Sequence, residues 1–471
     1  MNINARNEKF FYTPCDKYSD ALNIWFCFPA DYNIGMSSLG YLHLFRLLDE
    51  NPCANPERVF YDTTKTIISK QDLDIISFSF SFEFDFIAVF KMLEKNDIKF
   101  KAYERDENSP LIMGGGAVLT ANPEPFADMF DFIMVGDGEE LVNEVANTLY
   151  KYKSSSKAYK LEKLAEISGI YVPSIQQFKD IKRRIFNNKS CISSPIVTTD
   201  TAFSDSFLIE VTRGCPYKCN FCMTSHINNP PHYAPMEAMK SAFDIGIEKC
   251  SAVGLLGALV PANPSFESLC EYILEQKEKY DFKVSIGSLR ADFITPLNIK
   301  MLTSCGQKTA TIAVEAGSQR MRDFINKKLT EEQIMNAVNT CYENGLDGLK
   351  LYAMIGFPTE TQDDIDELVE LSRKIKQNKK LTLSVNSFVP KKFTPFENIE
   401  QENSKSLEKK IAYLKKACHK SGISFRPCSI AWNEIQGAIS LGERNLLEIL
   451  YASCQDGATI GAFRKNLRKL N

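Results

Sequence analysis

Three cysteines on one short segment are the residues of this sequence best suited to chemistry. Residues 214–222 read GCPYKCNFC, so that Cys215, Cys219 and Cys222 have CxxxCxxC spacing. Thiolates favour iron–sulfur clusters and zinc over harder ligand sets, and each iron of a cluster is normally held by one cysteine. The spacing therefore predicts a four-iron cluster with three protein ligands, in which the fourth iron is left open for chemistry.

Two other interpretations of these cysteines stay open. A structural zinc site could recruit His226 or His232, although zinc sites usually carry CxxC pairs on both sides. The cysteines could also be unconnected core thiols, but a loop rich in Gly, Pro, Lys and Asn offers them little to pack against.

Length and composition narrow the class of protein. A chain of 471 residues predicts two or three domains, and its 56 basic and 59 acidic residues are scattered, which gives no strong nucleic-acid signal. The 14 cysteines are not concentrated in a small disulfide-rich domain. The polar N-terminus and the lack of an apolar run of ~18 residues favour a soluble, cytoplasmic protein with no membrane partner.

The first part of the chain alternates strand-like and helix-like segments, as α/β folds do. Apolar, β-rich runs lie at residues 23–28, 75–80, 111–113 and 132–135; the first ends at Pro29, and the last two run into glycines. Strands that end in glycine before a helix present backbone amides at the carboxyl edge of a sheet, where doubly wound folds bind ligands. The pattern predicts a doubly wound parallel sheet with such a binding edge.

A second block of strand–helix units surrounds the cysteines. Six predicted strands lie at residues 207–212, 252–256, 283–287, 309–314, 349–355 and 383–388. The predicted helices between them lie at 235–247, 266–279, 298–304, 331–343 and 362–377. Six βα units make a partial barrel, whose functional residues belong on the loops after the strands. The cysteines follow the first of these strands.

These motifs resemble the radical S-adenosylmethionine (SAM) superfamily, whose mark is CxxxCx(aromatic)C after the first barrel strand, with Phe221 as the aromatic residue here. Residues 122–125 (NPEP), 136–140 (GDGEE) and 388–396 (FVPKKFTPF) resemble a branch with a cobalamin-binding-type domain and a methylthiotransferase-like barrel. The resemblance implies an α/β fold: a doubly wound, Rossmann-like domain, then a partial (β/α)6 barrel and a helical C-terminal tail.

The implied domains are residues 1–150 for the cobalamin-binding-type domain, 151–200 for a connector with a hairpin or two, 201–400 for the barrel and 401–471 for the tail. The simplest role for the tail is to cover the open side of the partial barrel. The first domain either holds a corrin or only covers the mouth of the barrel.

The resemblance also implies contacts to SAM at the strand ends. Gly254 and Gly257 follow the second strand, where the family binds the methionine amine, and Gly356 belongs to a GxP turn near the adenine. The other implied cofactor-binding residues are Phe221, Ser288, Arg290, Glu315 and Lys327. Strand-end capping for Ser288 and Arg290, and a surface ion pair for Glu315 and Lys327, are the structural alternatives.

Cobalamin is an open question in the sequence. Many cobalamin domains offer cobalt a histidine from a DxHxxG loop after the first strand, but residues 29–35 read PADYNIG and contain none. Some related enzymes bind cobalamin without a protein ligand to cobalt, so both a corrin-binding and a corrin-free domain stay open. No catalytic side chain is predicted.

The implied activity is reductive cleavage of SAM at a [4Fe-4S] cluster, which gives a 5′-deoxyadenosyl radical that abstracts a substrate hydrogen. If the protein binds cobalamin, the predicted reaction is methylation of an unactivated carbon. If it does not, the predicted reaction is methylthiolation or a radical rearrangement. A non-catalytic metal-binding or corrinoid-binding protein is the remaining alternative. The implied partners are an unidentified substrate and an electron donor such as a flavodoxin or a ferredoxin.

Overall fold

The computed structural model describes residues 7–186 and 190–469, which form two compact units. Unit 1 comprises the described residues within Met1–Asn188, Ser194–Asp205 and Ala438–Asn471. Unit 2 comprises those within Lys189–Ser193 and Ser206–Gly437. No helix in the described ranges is long and apolar enough to cross a membrane.

The strands of the described residues, in chain order, are β1 Glu8–Phe10, β2 Leu22–Phe28, β3 Ala54–Phe60, β4 Ile75–Ser79, β5 Leu111–Gly115, β6 Phe132–Met134, β7 Ile170–Tyr171, β8 Ile196–Thr198, β9 Ser206–Glu210, β10 Thr212–Arg213, β11 His232–Tyr233, β12 Ala252–Leu256, β13 Lys283–Ile286, β14 Thr309–Glu315, β15 Gly348–Ile355, β16 Lys380–Ser387 and β17 Ser424–Pro427.

The α-helices are α1 Tyr32–Gly35, α2 Leu39–Asp49, α3 Asp85–Lys95, α4 Ala117–Ala121, α5 Leu141–Lys151, α6 Lys157–Ala165, α7 Met223–Ile227, α8 Met236–Lys249, α9 Phe266–Lys277, α10 Pro296–Ser304, α11 Gln319–Phe324, α12 Glu331–Glu343, α13 Gln362–Lys376, α14 Ser404–Lys420, α15 Ile430–Leu441, α16 Leu446–Gln455 and α17 Ile460–Leu467.

Unit 1 is built on a six-stranded sheet in the order β3-β2-β4-β5-β6-β7. The first five strands run parallel, and β7 is antiparallel to β6. Numbered along the chain, the parallel strands follow the 2-1-3-4-5 order of flavodoxin-like folds. The strand order reverses between β2 and β4, so the ligand crevice expected of this topology lies at their carboxyl ends.

The structure confirms the predicted doubly wound sheet and adds one parallel strand, β3. Residues 54–60 read ANPERVF, in which Pro56, Glu57 and Arg58 hide the β-rich pattern. Pro56 is tolerated because β3 lies at the edge of the sheet, where one side of the backbone has no partner strand. Glu57 accepts from the Ile67 and Ile68 N–H groups, and Arg58 is paired with Glu8.

The predicted connector at 151–200 differs from what the structure contains. Its first half forms helix α6, capped by Ser156, and strand β7, which completes the six-stranded sheet. These residues join the sheet because Leu164, Ile170 and Val172 are buried in its core. The predicted boundary at residue 150 therefore falls inside unit 1, while residues 187–189 lie outside the described part of the chain.

Unit 2 contains two parallel sheets. Their strand orders are β13-β12-β9 and β14-β15-β16-β17. A single parallel bridge between Leu289 and Ile312 continues the strand order from one sheet to the next. All six predicted barrel strands are present, and β17 pairs with β16 as a further parallel strand. Its short sequence SFRP carries Arg426 and Pro427, which is why the apolar pattern did not reveal it.

The C-terminal tail is divided between the units, with the boundary inside α15 between Gly437 and Ala438. Helices α16 and α17 pack within unit 1: Phe463 is fully buried against Phe86, and Tyr451 contacts Phe90 and Phe100. The predicted helical tail at 401–471 is therefore not one separate segment, since α14 belongs to unit 2 whereas α16 and α17 belong to unit 1. Helical periodicity showed that these helices bury one face, but it did not show which sheet that face meets.

Candidate functional site

The cysteine loop follows β9 and β10 at the carboxyl end of the unit 2 sheet and leads into α7. Its base is closed because β10 pairs with β11, with Arg213 opposite His232. Gly214 has a φ of +78°, and a Cβ atom there would lie 2.0 Å from the carbonyl oxygen of Asn228. Only glycine fits this close approach, which turns the chain towards Cys215.

All three cysteines of the loop are free thiols. Cys219 is buried, whereas Cys215 and Cys222 are half-buried. Burial raises the pKa of the Cys219 thiol to about 11, while the nearby Lys327 and Arg290 act in the opposite direction. Burial also raises the pKa of Cys215, and the same two cations again oppose the shift. Cys215 and Cys219 thus lie in a partly buried setting in which two cations offset part of the cost of forming their thiolates.

Hydrogen bonds attach the cysteine loop to the turn that follows α11. The backbone N–H of Asn220 donates to the carbonyl of Ile325 at 3.0 Å, and its side-chain amide donates to the carbonyl of Phe324 at 2.9 Å. In return, the Asn326 amide donates to the carbonyl of Lys218 at 2.6 Å. Three hydrogen bonds from two asparagines therefore fix the loop against residues 324–326.

Arg290 provides a second link to the same turn. Its guanidinium lies 3.8 Å from the ring centroid of Tyr217, and its Nε lies 2.8 Å from a carboxylate oxygen of Asp292. Nη2 donates to the carbonyl of Lys328 at 3.0 Å and also to that of Lys327. The Tyr217 hydroxyl donates to Asp292 at 3.0 Å. Arg290, predicted as a SAM contact, thus connects the cysteine loop to the Lys327 turn.

Glu315 and Lys327 form an ion pair of 3.0 Å, and their side chains are only 13% and 8% exposed. This is not the surface pair that the sequence left open. Glu315 ends β14 in a left-handed conformation (φ +66°), and the residues beside Lys327, Asn326 and Lys328, have φ values of +55° and +50°. Three non-glycine residues in this region indicate stored backbone strain, which clusters at functional sites.

Arg322 holds the segment between Glu315 and Lys327. Its side chain is almost wholly buried and donates from Nε to the carbonyl of Leu329 at 2.8 Å. Nη1 donates to the carbonyls of Ala316 at 3.1 Å and Gly317 at 2.5 Å. Burial lowers the pKa of Arg322. Its hydrogen bonds bring the two ends of the segment together, which explains how Glu315 reaches Lys327 twelve residues later in the chain.

Two predicted cofactor glycines are explained by close packing. A Cβ atom on Gly254 would lie 2.7 Å from the Leu208 side chain, and one on Gly257 would lie 2.1 Å from the Thr212 hydroxyl. Gly257 therefore allows the end of β12 to approach the segment that enters the cysteine loop. Ser288 follows β13 and is exposed.

Gly356 and Phe221 lie in one aromatic cluster. Gly356 has a φ of +82°, and its neighbour Phe357 packs at 5.9 Å between ring centroids on Phe221. Phe357 also contacts Phe388 and Phe396, which belong to the FVPKKFTPF segment. The aromatic residue of the cysteine loop is thus packed directly on the GxP turn.

Within residues 7–186 and 190–469, no three His, Cys, Asp or Glu side chains converge closely enough to hold one metal ion. A cluster makes a different demand, because each thiolate holds its own iron. Three reduced thiols on one fixed loop, with two buried cations beside them, fit a cluster of net negative charge. Four supporting residues were not predicted from the sequence: Tyr217, Asn220, Asp292 and Asn326. Of these, only Asn326 carries a local signal, which is the tendency of asparagine to adopt the left-handed conformation.

Comparisons with known proteins agree with this arrangement. The family model described as "Radical SAM superfamily" matches residues 209–372, which include the cysteine loop, Arg290, Glu315 and Lys327. The model described as "Radical SAM proteins, N-terminal" matches residues 40–173.

Two relatives cover most of the chain. An uncharacterized protein of Methanocaldococcus jannaschii is 32% identical over 396 residues, which are 81% of this chain and 83% of the relative. An uncharacterized methyltransferase of Pyrococcus horikoshii is 24% identical over 342 residues, which are 67% of each chain.

Among solved structures, the cobalamin-dependent S-adenosylmethionine radical enzyme OxsB, with aqua-cobalamin and S-adenosylmethionine bound, has the same fold over 75% of this chain, with a TM-score of 0.54 and 17% identity. The chain spans 52% of the OxsB chain, so OxsB is much the longer protein. With a GxP turn, a fixed CxxxCxxC loop and two matching family models, this chain belongs to the radical SAM superfamily and is a radical SAM enzyme.

Proposed function

We propose that this enzyme binds a [4Fe-4S] cluster through Cys215, Cys219 and Cys222 and cleaves SAM reductively. We further propose that it uses the resulting radical for cobalamin-dependent methylation of an unactivated carbon. The observation that carries the first part is the attachment of the cysteine loop to the 324–328 turn by Asn220 and Asn326. This attachment keeps three thiols and the buried Lys327 in one place before any cofactor binds.

When bound, the cluster would supply the electron that breaks a carbon–sulfur bond of SAM. The protein's own part is to hold the cofactor, exclude water and set the local charge. Lys327 and Arg290 place two positive charges near the thiols, which favours binding of an anionic cluster. Glu315 supplies carboxylate oxygens at the end of β14, where a nucleoside hydroxyl could donate to them.

Unit 1 supports the cobalamin proposal by its topology and its surface. Its strand order reverses between β2 and β4, and apolar side chains are exposed just beyond the carboxyl ends of the strands there. Ile34 is 48% exposed and Phe82 is 47% exposed. A corrin has large apolar faces, so exposed apolar side chains at the switch point fit it.

The residues of unit 1 also limit how a corrin would be held. The loop after β2 has no histidine, and its Tyr32 is buried, with the hydroxyl donating to Glu8. We therefore propose binding without a protein ligand to cobalt. The fold shared with cobalamin-dependent OxsB supports the corrin, and the similarity to an uncharacterized methyltransferase of Pyrococcus horikoshii supports methyl transfer. A tRNA methylthio-synthase that is 21% identical keeps methylthiolation as the alternative.

The test of SAM cleavage is anaerobic reconstitution with iron and sulfide, reduction with dithionite in the presence of SAM, and measurement of 5′-deoxyadenosine. The wild-type protein should form it, and Cys222→Ala should not. Equal amounts from both proteins would refute the proposal. A flavodoxin or a ferredoxin remains the predicted physiological donor, and the substrate remains a prediction of class only.

The test of the cobalamin part is separate. Protein incubated with hydroxocobalamin and passed through a desalting column should retain the corrin, seen in its visible spectrum. Phe82→Ala should retain less, with Phe10→Ala, an equally exposed residue of β1, as the matched control. If the wild-type protein retains no corrin, cobalamin-dependent methyl transfer is refuted, and methylthiolation or a radical rearrangement becomes the proposed reaction.

A further inference from the structure

A buried group of three charged residues lies beside the GxP turn in unit 2. The Lys410 ammonium lies 2.7 Å from Glu360 Oε2 and 2.6 Å from Glu402 Oε2. The side chain of Glu360 is only 3% exposed, and that of Lys410 is 13% exposed. Lys410 and Glu402 come from α14 and the segment just before it, which lie beyond the 209–372 family match.

Glu360 joins this group to the backbone of the turn. The same oxygen that accepts from Lys410 also accepts from the Gly356 N–H, at 2.8 Å. One carboxylate oxygen therefore links the ammonium of α14 to the peptide that begins the GxP turn. Hydrogen bonds to a charged acceptor are stronger than neutral ones, so this contact holds the turn firmly.

Helix α14 also packs against the turn directly. Gly356 has a φ of +82°, and a Cβ atom there would lie 2.7 Å from the Leu407 side chain and 3.3 Å from Glu402. The first turns of α14 thus occupy the space beside Gly356. The left-handed glycine cannot relax towards α14, and its N–H is fixed by Glu360.

The charge balance of the group depends on its one cation. Two carboxylates share a single ammonium, so removal of Lys410 would leave two acidic groups together in a largely buried place. Burial already raises the pKa of Glu360, and Lys410 opposes that rise. Without the ammonium, Glu360 would take up a proton or turn towards water, and either change weakens its hydrogen bond to Gly356.

We propose that Lys410 is a positioning residue for the SAM site, which acts through Glu360 to hold the Gly356 turn in the conformation that receives the adenosyl group. This inference rests on the proposed function, because it takes the Gly356 turn as part of the SAM site. In this proposal, α14 helps to position the SAM site, although it lies outside residues 209–372, which match the family model.

The experiment compares Lys410→Met, Lys410→Arg and Lys416→Met in the full-length, anaerobically reconstituted protein. Lys416 is an exposed lysine of the same helix and serves as the matched control. Equilibrium dialysis with labelled SAM gives the Kd, and iron analysis gives the cluster content. We expect Lys410→Met to weaken SAM binding about tenfold with unchanged iron content, since a charged hydrogen-bond network is lost. Lys410→Arg should recover most of the affinity, and Lys416→Met should match the wild type.

A second variant keeps the proposal testable if Lys410→Met folds poorly. In Lys410→Met/Glu360→Gln, a neutral amide oxygen can still accept from Gly356 and needs no cation. We expect this double variant to bind SAM more tightly than Lys410→Met. If the ion group has a purely structural role, the second substitution adds a further loss, and the double variant should bind SAM no more tightly than Lys410→Met.

The outcomes separate this inference from the proposed function. If the wild type binds and cleaves SAM but Lys410→Met has the wild-type Kd, the positioning role is refuted and the proposed function stands. Loss of iron in parallel with SAM affinity in Lys410→Met would also refute it, because the defect would then lie in the cluster loop. Wild-type protein with a full cluster that neither binds nor cleaves SAM would refute both.

Discussion

One buried ion group in each unit can be compared, because the two groups lie at opposite ends of the parallel strands beside them. In unit 1, Asp131 directly precedes β6 and is paired with Arg105 at 2.9 Å and Lys157 at 2.8 Å, beside the amino end of β5. In unit 2, the buried pair of Glu315 and Lys327 lies at the carboxyl end of β14. Ligands of α/β sheets bind at the carboxyl edge. Buried charge at the amino edge therefore indicates stability, and buried charge at the carboxyl edge indicates a site.

The largest expected effect concerns the cysteines at the unit 2 edge. Replacing Cys215, Cys219 or Cys222 by alanine should abolish cluster binding, because each proposed ligand holds one iron. Iron and sulfide analysis after reconstitution measures this. Cys27→Ala, at a buried thiol of β2 in unit 1, should keep the wild-type iron content. If a variant of any of the three cysteines retains the wild-type iron content, that cysteine is not a cluster ligand and the carboxyl edge of unit 2 is not the cluster site.

The next effect is on the stability of unit 1. Asp131→Asn leaves Arg105 and Lys157 without their carboxylate, and we expect unit 1 to lose about 3 kcal/mol of unfolding free energy. The chain has two tryptophans, Trp25 in unit 1 and Trp432 in unit 2, so Trp432→Phe makes urea unfolding of unit 1 visible through Trp25 alone. SAM affinity of the folded, reconstituted Asp131→Asn protein should not change. A large loss of SAM affinity would contradict the stability role of the amino edge.

A smaller effect should follow from the matching change in unit 2. Glu315→Gln keeps the shape of the side chain but removes the partner of Lys327, and we expect SAM binding to weaken by about tenfold. Equilibrium dialysis of the reconstituted variant measures it. Glu237→Gln, at an exposed residue of α8, is the control. If Glu315→Gln binds SAM like the wild type, the ion pair at the carboxyl edge serves stability only.

The smallest effect is a pH dependence in unit 1. Burial raises the pKa of Asp85, at the start of α3, to about 6, although hydrogen bonds from the Phe82 and Ser81 backbone oppose the rise. Because the folded pKa lies above the unfolded value of about 4, the folded state binds the proton more tightly. This group therefore makes unit 1 more stable as the pH falls from about 7 towards 4.

Asp85→Asn removes that gain. Both proteins carry Trp432→Phe, and their unfolding free energies are measured without cofactors at pH 7.0 and pH 5.0. The unfolding free energy at pH 5.0 minus that at pH 7.0 should be more positive with Asp85 than with asparagine. Identical pH dependence in the two proteins would show that Asp85 titrates normally. The pH values are chosen on either side of the raised pKa.

Much of the fold could be predicted because its strands are apolar and β-rich. The runs that became β4 and β12, for example, are buried on both faces and bounded by turn residues. Edge strands β3 and β17 were not predicted because Pro56, Glu57, Arg426 and Pro427 interrupt their apolar patterns, and only pairing at a sheet edge makes the two prolines acceptable. The packing of α16 and α17 in unit 1 escaped because it depends on contacts with α3, more than 350 residues earlier in the chain.

The candidate site divides in the same way. The cysteines were found because their spacing is local. Asn220 and Asn326 instead bind backbone carbonyls 104 and 108 residues away in the chain, which leaves no pattern in either segment. Lys410 is one of several lysines on α14, and only the position of Glu360 distinguishes it. The roles of the cysteines and of the SAM-contact residues stay predictions, as does the cytoplasmic location.

The open iron is the central claim, and electron paramagnetic resonance of the reduced, reconstituted protein tests it most directly. Spectra are recorded with and without SAM, and Cys222→Ala serves as the control. A fourth iron without a protein ligand predicts that SAM shifts the signal of the wild-type cluster. A reduced cluster whose spectrum does not change at saturating SAM would contradict the account, because its fourth iron would then have another ligand.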